Sequence, residues 1–118
     1  NDTLAGYDNP INRQFAFGPL SSVGLSEPKD GRLVIKTDVD NRQHGLYRIR
    51  KHFQASRDLN IILAGETVEI PSEANIEMSW SYKYDSDALK GLITSSGMQL
   101  ATEFLSEDKR FITLLVKK

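Results

Sequence analysis

Two long stretches of alternating side chains constrain this chain more than any other feature. From Gly45 to Ala55, Tyr47, Ile49, Lys51, Phe53 and Ala55 fall on one side, while Leu46, Arg48, Arg50 and His52 fall on the other. From Ala74 to Tyr84, Ile76, Met78, Trp80, Tyr82 and Tyr84 share a side. A period of two sends successive side chains to opposite faces of an extended backbone, so each stretch predicts a long, half-buried antiparallel strand. Gly31 to Lys36 reads as a shorter strand followed by a polar turn at Asp38-Val39-Asp40-Asn41, and Leu59 to Ala64 with Thr67 to Ile70 reads as a hairpin about Gly65.

The periodicity changes after Tyr84. Leu89, Leu92 and Ile93 recur at helical spacing between Ser86 and Met98, with Asp85 or Ser86 suited to cap the start and Gly97 to end it in a left-handed turn. Gln99 to Leu105, the polar turn Ser106-Glu107-Asp108-Lys109 and the run Phe111 to Val116 then form a second hairpin. Its last strand is apolar on both faces, which calls for a buried central place in a sheet. The first thirty residues hold Pro10, Pro19 and Pro28 and are expected to be irregular, with at most a short helix near Gly18 to Leu25. The fold class expected is α+β, a mostly antiparallel sheet with few short helices that ends in a strand, a helix and a hairpin.

A chain of 118 residues with 39% hydrophobic content can bury one modest core. A net charge of -1 supplies no field to attract nucleic acid, and no apolar run approaches the roughly 20 residues that span a bilayer. Cysteine is absent, which removes thiol nucleophiles and thiolate zinc sites and leaves no disulfide framework of the exported kind. The expected setting is cytoplasmic. His44 and His52 lie about 26 Å apart along a strand, too far to share a metal, and no catalytic triad or carboxylate pair is suggested by spacing.

Three segments, in order, resemble the histidine-specific S-adenosylmethionine-dependent methyltransferases of ergothioneine biosynthesis and their relatives. Leu4-Ala5-Gly6-Tyr7-Asp8-Asn9 is similar to the family's Ala-Tyr-Asp-Asp segment, and Arg48-Ile49-Arg50-Lys51-His52-Phe53 to its Arg-Ile-Glu-Met-His-Leu strand. Ile76 to Tyr84, reading Ile-Glu-Met-Ser-Trp-Ser-Tyr-Lys-Tyr, resembles the segment ending in Ser-x-Lys-Tyr/Phe that precedes the last helix. The resemblance implies that residues 1–80 are part of a substrate-binding domain and that residues 81–118 complete the sheet of a class I, Rossmann-like methyltransferase domain. It also implies S-adenosylmethionine as cofactor. No G-x-G-x-x-G or G-x-G follows a strand here, so the cofactor is expected to be held mainly by a missing N-terminal segment. The chain alone is then expected to be inactive and to self-associate or dock through its unpaired strand edges, a possible homo-oligomer.

Four positions carry the expected substrate contacts. Tyr7 aligns with a tyrosine that positions the substrate's amine or carboxylate, although a tyrosine here could equally pack on the surface. Lys51 sits between Ile49 and Phe53 on an apolar face, so it either snorkels past the sheet edge or aims a charge into a pocket. In the family the aligned position lies in the substrate pocket and is often methionine; a lysine suits an acidic group. Ser79 and Ser81 share a polar face with Glu77 and Lys83, which is either solvated or part of the site. Ser81 matches a family serine that helps to hold the imidazole, whereas Ser79 stands where the family has glutamate, which places histidine in doubt as the substrate. Arg42, Arg48, Arg50, His52 and Arg57 form a basic group, read as a solvated sheet face balanced by Asp38, Asp40 and Asp58 rather than a phosphate site. The cofactor carries an already activated methyl group, so orienting groups are needed rather than a covalent nucleophile. The expected function is the C-terminal part of an N-methyltransferase acting on an amino acid or related small amine; the alternative is a non-catalytic interaction module with the same substrate-domain fold.

Overall fold

The two alternating stretches are adjacent strands in the computed structural model, which describes residues 2–118. β1 (Gly31–Val39), β2 (Leu46–Ala55) and β5 (Asn75–Tyr84) form a three-stranded sheet in the order β1-β2-β5. Between β2 and β5, β3 (Leu59–Leu63) and β4 (Glu66–Ile70) make a separate antiparallel hairpin. Leu63 pairs with Glu66, so Ala64 and Gly65 form a two-residue turn, and their φ angles of 51° and 80° are the positive values that a hairpin of this length favours. The helices are α1 (Asp2–Tyr7), α2 (Pro10–Ser22) and α3 (Ser86–Ser95), and β6 (Gln99–Leu105) pairs antiparallel with β7 (Ile112–Lys117). The fold is α+β and mostly antiparallel, and it ends in a strand, a helix and a hairpin.

The prolines do not keep the N-terminal region irregular. Pro10 occupies the first turn of α2, where its missing N–H has no helical partner to lose, and Asn9 caps that end by accepting from the Asn12 amide at 3.0 Å. Pro19 lies within the helix, near its end. The helix closes in a Schellman turn: Leu25 N–H donates to the Leu20 carbonyl and Gly24 N–H to that of Ser21, both at 3.0 Å, with Gly24 at φ 89°. The same device ends α3, where Met98 N–H reaches the Ile93 carbonyl and Gly97 has φ 85°. At its start, the Asp85 carboxylate accepts from the Ala88 amide at 2.8 Å.

β1 runs three residues past its expected end at Lys36, so Asp38 and Val39 lie in the strand. The turn is built by Asp40 instead. Its N–H donates to the Leu46 carbonyl at 3.0 Å, and its buried carboxylate accepts from the amide and guanidinium of Arg42.

Two compact units divide the described chain, one made of residues up to Asp38 together with Arg48–Ser81, the other of Val39–Tyr47 with Tyr82–Lys118. The first holds the core. Phe53 and Ile49, at 0% and 1% exposure, are joined by Leu33 and Ile35 of β1, Phe17 and Leu20 of α2, Leu59 and Ile70 of the β3–β4 hairpin, and Leu25. The Phe17 and Phe53 rings meet edge to face at 6.0 Å between centroids, the arrangement favoured by the ring quadrupoles. Gly31 permits this packing, since a Cβ there would stand 2.2 Å from the Gln54 carbonyl oxygen and 2.6 Å from the Phe53 ring.

The second unit is packed differently. No side chain of α3 is buried and every residue of β6 is exposed. β7, expected to be covered on both faces, alternates between half-buried Ile112, Leu114 and Val116 and exposed Thr113, Leu115 and Lys117. Its hairpin supplies one neighbouring strand, too little to bury both faces. Lys90 of α3 and Glu103 of β6 form an ion pair at 2.6 Å.

Candidate functional site

Tyr7 is positioned by an elbow between two helices. It ends α1, and the chain turns through Asp8 and Asn9 into α2. The Gly6 carbonyl accepts from both Asn9 Nδ2 at 2.9 Å and Asn12 Nδ2 at 2.8 Å, which fixes the residue before Tyr7. Asp8, the residue after it, accepts from Arg13 Nη1 at 2.9 Å, while Arg13 Nη2 donates to the Leu33 carbonyl of β1 at 2.6 Å. Arg13 thereby ties the elbow to the sheet, and its pKa is raised chiefly by the hydrogen bond to Asp8.

Lys51 extends from β2 on the face of Ile49 and Phe53, as the alternation requires. It is half-buried, and its Nζ stands 5.6 Å from the centre of the Tyr7 ring, a cation–π contact. The structure therefore brings two of the four candidate residues together. Ser79 is exposed and Ser81 half-buried on β5, the strand next to β2. None of the four lines the shallow recess bounded by Pro28, Gly31, Gln54 and Glu73.

The other face of β2 is a ladder of ion pairs. Arg48 donates twice to Asp38 of β1, at 2.9 and 3.0 Å, and Arg50 donates twice to Glu77 of β5, at 3.0 and 2.9 Å. Arg50 also reaches Asp38 at 3.5 Å, so three strands are joined by one network. Hydrogen bonds from Arg48 hold the Asp38 carboxyl below its usual range, and those from Arg50 do the same for Glu77. Arg57 pairs with Asp30, whose carboxyl is lowered first by the Ser26 amide. Arg42 pairs with Asp40 and also donates to the Tyr82 hydroxyl at 2.8 Å. Arg42, Arg48, Arg50 and Arg57 thus carry their own counter-ions.

Trp80 departs from the expected alternation. Ile76 and Met78 pack against the core, but Trp80 is 54% exposed and lies beneath the Arg48 guanidinium, 5.6 Å from ring centre to Cζ. Ser79 and Trp80 are both open to solvent, and the indole contacts Arg48 rather than the core.

Residues 39–118 match the family of histidine-specific, S-adenosylmethionine-dependent methyltransferases. The chain belongs to that family. Its match covers Lys51, Ser79 and Ser81, while Tyr7 lies outside it. No curated protein gives a match to the chain.

Membership implies S-adenosylmethionine as methyl donor and a small-molecule substrate. Among the described residues no strand leads into a glycine-rich turn of the kind that cradles a nucleotide cofactor. Gly24 and Gly97 close helices, Gly65 turns a hairpin, and Gly45, at φ 75°, leaves room for the Asp85 carboxylate, which an added Cβ would approach to 2.3 Å. β5 enters α3 through Asp85 rather than through a glycine-rich turn that opens backbone amides to a ligand. Among the described residues no group of three His, Cys, Asp or Glu side chains could hold a metal, and no helix is long and apolar enough to cross a membrane.

Proposed function

We propose that this chain supplies the substrate-binding part of an N-methyltransferase that modifies the α-amine of an amino acid or a related small amine. The observation that carries this reading is the contact between Tyr7 and Lys51. Residues 44 positions apart, on a helix elbow and a sheet strand, meet where the family resemblance expects a substrate. In this reading Tyr7 orients the polar head of the substrate, Lys51 faces its side chain, and Ser79 and Ser81 offer hydroxyls from the neighbouring strand. The residues up to Trp80 form part of the substrate-binding domain. Ser81 to Lys118 return to the methyltransferase domain, where β6 and β7 gain the strand neighbours their apolar residues call for.

The cofactor is held mainly by sequence outside these residues, and the chain alone is inactive. Its own side chains bind and orient the substrate. The test is to incubate the full natural protein that contains this chain with isotopically labelled S-adenosylmethionine and a panel of amino acids, and to locate the label by mass spectrometry. Label on an α-nitrogen is expected. Binding of amino acids without transfer of label would favour a non-catalytic module instead.

A further inference from the structure

Resting on the substrate-binding reading above, we infer that the amino acid accepted here carries an anionic side chain, whose carboxylate is received by Lys51 beside the Tyr7 ring. The charges of β2 are unequal in their partners. Arg48 and Arg50 each hold a carboxylate through paired hydrogen bonds, but Lys51, between them and the end of the strand, pairs with no carboxylate among the described residues. It projects from the apolar face, where Ile49 and Phe53 are buried, and it is itself half-buried. A cation drawn away from water is stabilised by an anion far better than by a ring face alone, so this position favours an incoming negative group.

The Lys51 ammonium keeps donors for that group. An ammonium has three N–H donors, and the Tyr7 ring takes the cation on one side through its π face rather than through a conventional acceptor. The nearest acidic residue in sequence to that ring, Asp8, is engaged by Arg13 at 2.9 Å and is thereby drawn off as a competitor for Lys51. The elbow hydrogen bonds at Gly6 hold the backbone that carries Tyr7, which limits how far the ring can move from Lys51.

The experiment compares kcat/KM of the full natural protein for glutamate and aspartate with those for glutamine and asparagine, which match them in size but are neutral. The acids are expected to be preferred by about tenfold or more, and Lys51→Met to remove most of that preference. Lys51→Arg, which keeps the charge, should retain the order of preference, and continued use of the amides by Lys51→Met shows that this variant is folded. Equal use of acids and amides, or a preference for acids that survives Lys51→Met, overturns this inference while leaving the methyltransferase reading in place. Methylation of histidine but of none of these four overturns this inference alone, whereas transfer of label to no amino acid or small amine, histidine included, overturns both.

Discussion

The unit built around Phe53 and the unit that contains α3 and the last hairpin spend similar apolar residues to different ends. In the first, Phe53, Ile49 and Leu33 are almost wholly withdrawn from water by elements drawn from distant parts of the sequence. In the second, Phe104, Phe111 and Leu115 remain 62%, 74% and 55% exposed although β6 and β7 pair along their length, with one register shift between Leu100 and Thr102. Pairing satisfies the backbone, but burial needs a second layer. A strand that is apolar on both faces therefore states a requirement that its own chain need not meet. The comparison motivates the proposal that the last hairpin belongs to a different part of the enzyme from the unit that holds the core.

Substitutions sharpen the contrast. Phe53→Ala should have the largest effect, about 3–5 kcal/mol of lost stability from transfer and cavity terms together, measured by chemical denaturation. Gly45→Ala should cost about 1–3 kcal/mol, because alanine resists φ 75° and its Cβ would collide with the Asp85 side chain. Phe104→Ala should change the stability of the chain alone by no more than about 0.5 kcal/mol, since most of the ring is already in water. In the full natural protein the same substitution should cost more than about 1.5 kcal/mol if the hairpin is covered there. An equal effect in both settings would break the comparison.

Acid probes the first unit's sheet in another way. Asp38 and Glu77 have folded pKa values below their ordinary ones, so the unfolded chain binds more protons than the folded one as pH falls. Their contribution is complete above the unfolded values, near pH 4, and is lost as pH falls through the lower folded values. The denaturation midpoint should decline across that window, and Asp38→Asn should flatten the decline while lowering the midpoint at neutral pH. An unchanged acid slope would show that the arginine ladder is not what holds β1, β2 and β5 together.

Much of this was legible in the residues. Alternation placed β2 and β5, Asp85 and Gly97 marked the ends of α3, and Gly65 marked a hairpin turn. What escaped was context. Pro10 and Pro19 signal irregular chain only if their positions in a helix are unknown; beside the Asn9 cap, Pro10 instead helps to start one. Asp38 reads as a turn residue in isolation, yet the arginines of the next strand draw it into β1. The exposure of Trp80 carries no signal in the amino-acid pattern, which continues to alternate through Tyr84. For the site, parity put Lys51 on the apolar face, and the resemblance singled out Tyr7. Their meeting, and the role of Arg13 in fixing the elbow, depend on tertiary geometry that no local pattern encodes.

The most direct test of the division of labour proposed here is calorimetric titration of S-adenosylhomocysteine, side by side, into this chain and into the full natural protein. The account predicts saturable binding to the full protein and none to this chain. Binding of equal strength to both would place the cofactor site within these residues and contradict it.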